Sequence, residues 1–143
     1  MKIILIAILI LLLINTIRNL PKNLSKKEIE KRIAKNRQVF AEKDEPERST
    51  LYLATLFIGW VFYIVLGIIY AKLGMRFADN NFALILSIIE VVICIINIFN
   101  YSSYATKLEK DEEFSVNRFR TLLFSMVDIV YYPTMIWLLI QSF

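Results

Sequence analysis

Residues 82–101 read FALILSIIEVVICIINIFNY, and this stretch decides the fold. It is twenty residues of almost unbroken apolar side chain with one carboxylate, Glu90, near its middle. About 20 such residues are what a helix needs to cross the hydrocarbon core of a bilayer. Ala83, Ser87, Glu90, Cys94, Asn97 and Tyr101 recur at alternating intervals of four and three. That spacing keeps one face of a helix polar or small and leaves the others to Ile, Val and Phe.

Two further runs have the same character. Leu51–Ala71 holds no charge, and Thr121–Gln141 holds one, Asp128. Ile3–Ile14 is intensely apolar but short, and reaches Ile17 only by including Asn15 and Thr16. A helix of that length can still span a thin or locally thinned bilayer. Across the 143 residues, 57% are hydrophobic, against about 45–50% for soluble domains. The expected fold is all-α: a polytopic integral membrane protein with four transmembrane helices, 3–17, 51–71, 82–101 and 121–141, and one cytoplasmic amphipathic helix, 26–43.

The first run could also be a signal peptide. Its n-region is a single lysine, however, and Asn15-Thr16-Ile17-Arg18 offers no small-x-small cleavage site. A retained helix is the expectation, and charge supplies the orientation. Segment 18–50 carries ten Lys and Arg, and loop 102–120 carries four; Lys2, Lys72 and Arg76 account for the rest. The positive-inside rule places both basic segments in the cytoplasm and both termini outside. The abundance of Ile, Lys and Asn suggests an AT-rich genome and a bacterial plasma membrane.

Within 18–50, Ser25-Lys26-Lys27-Glu28 has the form of a capping box that opens a helix. Ile29, Ile33, Val39 and Phe40 make a thin apolar stripe on it. Interleaved acids favour a solvated connector over a membrane-surface helix. Nucleic-acid binding is not expected, because the net charge of +4 is accounted for by topology and no aromatic-basic interleaving occurs.

The fourth run carries Thr121, Ser125, Asp128, Tyr132 and Met135 on one face. The second carries Thr55, Gly59, Tyr63, Gly67 and Ala71 at strict intervals of four. Small residues so spaced mark seams where helices approach closely. Spans three and four run antiparallel, so their polar faces are expected to meet inside the bundle. Glu90 and Asp128 would then lie within about a turn of each other in depth, with Tyr132 and Asn97 the nearest candidates to hydrogen-bond them, and Ser87 and Ser125 on the same faces.

Ionisable groups within spans are rare and mark function. No Lys, Arg or His shares the runs that hold Glu90 and Asp128. With no internal counter-ion, at least one of the two should carry a proton in the isolated chain. Three roles follow: structural glue by interhelical hydrogen bonds, assembly with a partner's spanning helix that supplies the cation, or binding of a proton or Na⁺ in a relay.

Enzymatic chemistry is not expected, since HExxH, Gly-x-Ser-x-Gly and Gly-rich phosphate loops are missing from the sequence. With no histidine and one cysteine, no metal or cofactor is expected either. The sequence-based expectation is a membrane accessory or complex subunit of immunity, exclusion or transporter-associated type. Its partners would be lipid and another membrane protein or a second copy of itself, docked through the polar faces and the Thr55, Gly59, Gly67, Ala71 seam. A proton- or cation-coupled transport or channel element using Glu90 and Asp128 is the alternative.

Overall fold

The computed structural model describes residues 2–113 and 115–142. Among these it is all-helical, with α1 Lys2–Leu24, α2 Lys26–Ala41, α3 Glu45–Arg76, α4 Asn81–Glu109 and α5 Arg118–Gln141. Four of them, α1, α3, α4 and α5, are long and apolar enough to cross a membrane.

Three helices, α2, α4 and α5, begin where the sequence supplies a partner for their first amides. Ser25 accepts from the Glu28 amide at 3.4 Å, Asn80 from the Ala83 amide at 3.1 Å, and Asn117 from the Arg120 amide at 3.1 Å. Pro46 sits in the first turn of α3, where its missing N–H costs nothing. At the end of α4, the Glu112 amide reaches back to the Lys107 carbonyl at 2.9 Å. Asp111 turns the chain there in the left-handed region, with φ of 54°. This is a Schellman stop with aspartate in the usual glycine place. Arg37 of α2 holds that aspartate through both its carboxylate (2.8 Å) and its carbonyl (3.0 Å).

The helices extend past the apolar runs. α1 continues seven residues beyond Ile17, α3 starts six before Leu51, and α5 starts three before Thr121. Backbone hydrogen bonding does not stop at the hydrocarbon edge, and nothing in these flanks breaks a helix except Pro21, which α1 contains.

The spanning helices pack antiparallel in the order α3, α4, α5, α1. α1 lies along α5: Lys2 Nζ donates to the Ser142 carbonyl at one end, and Thr16 meets Asp128 further along. α3 and α4 form a hairpin over residues 77–80. α2 packs across the opposite end, which also holds the α4–α5 connection, touching α1, α3 and α4. That end is called the connector end below, and the end with Lys2, Ser142 and the 77–80 turn the terminal end.

The α3–α4 seam is set by glycine. Gly59 lies under the Tyr101 ring, Gly67 faces Cys94, and Gly74 faces Ser87. Ala71, by contrast, is exposed. The reason is geometric: a strict interval of four gains about 40° of rotation per step, so Thr55 and Ala71 end up on nearly opposite sides of α3. Gly74 replaces Ala71 in the seam. The faces turned away from the bundle carry Phe57, Ile58, Ile85, Phe99 and Trp137, all more than half exposed. Such a surface is suited to lipid contact.

A Cβ at Gly74 would stand 2.7 Å from the Ser87 Cβ, whereas one at Gly67 would make ordinary contact with Cys94 at 3.8 Å. Gly74→Ala should therefore cost about 1–3 kcal/mol. Gly67→Ala should be neutral or stabilising by up to about 1 kcal/mol. Reversible unfolding in mixed micelles checks the contrast; equal effects would contradict the seam.

Candidate functional site

Helical spacing places Ala83, Ser87, Glu90 and Cys94 on the buried face of α4, and Ser125, Tyr132 and Met135 on the buried face of α5. Where these faces cross, Glu90 and Asp128 line one cavity, close enough to interact. Thr16 of α1 donates to Asp128 Oδ2 at 3.4 Å. Tyr132, one turn further along α5, pairs with the Tyr70 hydroxyl of α3 at 2.9 Å. Asp128 thus accepts from α1, and the Tyr132–Tyr70 pair ties α5 to α3 beside it.

Glu90 is 1% exposed, and its Oε1 has no hydrogen-bond partner in the chain. Leaving a buried polar atom unpaired costs roughly 1–3 kcal/mol. The group nevertheless lies on the wall of a cavity of about 340 Å³ formed by α1, α3, α4 and α5. Asp128, Asn97, Ser125 and Tyr132 line the same cavity. A second space of about 450 Å³ shares Asn23, Tyr63, Asn97, Asn100 and Thr121 with it and continues under α2 to Arg32, Ile33 and Asn36. Polar side chains therefore lead from the carboxyl pair to the connector end. There α2 is held over the opening by Asn36 to Tyr104 at 2.6 Å and Arg32 to Asn23 at 3.1 Å.

The terminal side of the pair is closed. Leu9, Leu73, Tyr131, Met135 and Leu139 are buried there, with Tyr70 and Tyr131 rings packed edge to face at 5.1 Å. Ser87 lies in this packed half, donating to the Tyr131 hydroxyl at 3.4 Å. Of the residues singled out from the sequence, Glu90, Asp128, Asn97, Ser125 and Tyr132 share the cavity, while Ser87 sits just beyond its floor. Gly59 and Gly67 face α4, Thr55 is half-buried, and Ala71 points away from the bundle.

Several lining residues escape a reading by runs. Asn15, Thr16, Asn19 and Asn23 bring a polar stripe from α1. Asn15, Asn19 and Asn23 recur every four residues, and Asn19 donates to Asn15 at 2.7 Å; that spacing was the available signal. Arg120 lines the cavity as well, donating to Asn100 Oδ1 at 2.9 Å. It lies outside the apolar run but inside α5, so the cavity does contain one cation. Eight residues separate it from Asp128, about 12 Å along the helix axis, and among the described residues no salt bridge joins the two. Asn100 Nδ2 is the second buried polar atom without a partner.

Glu90, Asp128 and the neighbouring Thr16, Ser125 and Asn97 oxygens form a set of hard donors. Among the described residues, no group of three or more His, Cys, Asp or Glu gathers as a metal centre would need. The fold and site define an all-α bundle of membrane-spanning type with a one-ended polar cavity ending on a carboxyl pair. In comparisons with known proteins, no family model, curated protein or solved structure matches this chain.

Water should reach one end of this site and not the other. In a Cys94→Ser background, cysteine at Asn97 or Ser125 should react with a small charged thiosulfonate reagent, whereas cysteine at Met135 should stay unmodified. Equal labelling at 97, 125 and 135 would contradict a one-ended cavity.

Proposed function

We propose that this chain is a non-enzymatic multi-pass protein of a bacterial plasma membrane, and that its Glu90–Asp128 pair takes up a proton or monovalent cation from the cytoplasmic side. One observation carries this reading: Glu90, which lines a polar cavity, is enclosed and its Oε1 has no hydrogen-bond partner among the described residues. A carboxyl serving only as glue would be expected to have its hydrogen-bonding capacity used within the bundle. Here Thr16 donates to Asp128, and no donor of the described residues reaches Glu90 Oε1.

The positive-inside rule supports the orientation. Ten Lys and Arg in 18–50 and four in 102–120 favour the connector end as cytoplasmic. The cavity then opens inward, and the packed Tyr70–Tyr131 layer closes it from outside. Passage to the outer face would need that layer to part, as in alternating access.

A complex subunit is the competing role. A partner's spanning helix cannot supply a cation to Glu90 without parting the bundle, because Glu90 is 1% exposed. Docking would have to run through the outer helix faces, independently of the carboxyls.

Purified chain in liposomes should carry a proton- or Na⁺-dependent flux. Glu90→Gln and Asp128→Asn should each lower it at least tenfold while leaving the elution profile unchanged. A wild type without flux, or variants that keep it, would overturn the proposal. Orientation is checked in intact cells with the Cys94→Ser background: cysteine at Asp79 should label from outside, and cysteine at Lys31 should not.

A further inference from the structure

The cavity is larger than a proton or a metal ion needs. Its volume of about 340 Å³ falls at the lower end of the range for small-molecule pockets, about 300–1,000 Å³. A dehydrated inorganic cation is usually wrapped by six or more oxygens at short range. Here the carboxyl pair forms one end of an open space. Among asparagines and hydroxyls, Phe62, Leu66, Ile93 and Phe124 give this space an apolar part of its wall. That part gives an ion nothing and gives carbon a contact surface.

The hydrogen-bond inventory names the polar end of the ligand. Thr16 already donates to Asp128, and Tyr70 is paired to Tyr132. Glu90 Oε1 is left as an acceptor without a donor, 99% enclosed. The donor must therefore come from outside the chain. An ammonium group carries three N–H donors and one positive charge. It can satisfy Glu90 Oε1 and Asp128 together, and its charge offsets that of a carboxylate. Tyrosine and phenylalanine faces add cation–π attraction.

We infer that the cavity is a binding site for a small organic monoammonium ion. Its nitrogen is held between Glu90 and Asp128, and its apolar body lies against Phe62, Tyr63 and Phe124. Arg120, at the connector end of the same cavity, selects against a second positive charge on the ligand. This inference rests on the proposal that the carboxyl pair accepts a cation, and names the class of cation.

Glu90→Gln and Asp128→Asn each replace one of the two carboxyl groups that hold the nitrogen. The full chain in neutral detergent is titrated calorimetrically at fixed ionic strength with n-butylammonium, butane-1,4-diammonium, Na⁺ and K⁺. The expected result is 1:1 binding of n-butylammonium at least tenfold tighter than the diammonium or either inorganic ion. Glu90→Gln and Asp128→Asn should each weaken it at least threefold. Phe124→Ala, which leaves the carboxyls intact, should weaken it about threefold to tenfold, so the test does not depend on a carboxyl variant folding.

Na⁺ or K⁺ binding as tightly as n-butylammonium would overturn the organic-ligand inference and leave the carboxyl-pair proposal standing. Binding of n-butylammonium that is indifferent to both Asp128→Asn and Phe124→Ala would identify partition into the micelle and overturn the inference. No binding of any cation, together with no flux in liposomes, would overturn both.

Discussion

The constraint that organises this molecule is the cost of holding two carboxyl groups within a bundle whose outside is suited to lipid. On insertion scales an acidic side chain at a bilayer centre costs about 2.5–3.5 kcal/mol. The chain meets this by turning Glu90 and Asp128 into the bundle, onto the wall of one cavity. Thr16 then donates to Asp128 from a neighbouring helix. Four helices are needed to do so: α4 and α5 carry the acids, α1 brings a hydroxyl, and α3 closes the ring through Tyr70. Removing any one of them would open the pair to lipid.

The same constraint accounts for the difference between the two ends of the bundle. Toward the terminal end, Leu9, Leu73, Tyr131, Met135 and Leu139 pack without gaps visible to solvent. Toward the connector end the helices carry asparagines instead: Asn15, Asn19 and Asn23 on α1, Asn97 and Asn100 on α4. Their side chains are too short and too polar to fill a lipid-excluding core, and a polar cavity results. The Arg37–Asp111 pair ties α2, which covers that end, to the end of α4. An exposed ion pair of this kind is worth at most about 1 kcal/mol, so the cover is held loosely compared with the glycine seam beneath it.

The helical stripes on α4 and α5 were legible in the sequence because the intervals of three and four are unambiguous there, and Glu90 and Asp128 stand out against their surroundings. The four long apolar helices were legible from run length. The α3 seam was harder to read. Strict intervals of four pointed to Ala71, but helical drift carries that residue outward and puts Gly74 in contact with Ser87. The contribution of α1 was hidden because its polar residues lie where the apolar run fades, and look like an end rather than a face. Arg120 was hidden for the same reason on α5. The pairing of α1 with α5 could not be deduced, since Ile and Leu serve equally against lipid and against another helix.

The account stands or falls on whether Glu90 and Asp128 are one coupled unit. A double-mutant cycle measures this directly, using reversible unfolding of wild type, Glu90→Ala, Asp128→Ala and the double variant. Each single change strands the other acid in an enclosed site, so the double variant should be less destabilised than the sum of the singles, by at least about 0.5 kcal/mol. Effects that add to within about 0.3 kcal/mol would mean that the two acids do not meet, and the cavity would lose its defining feature.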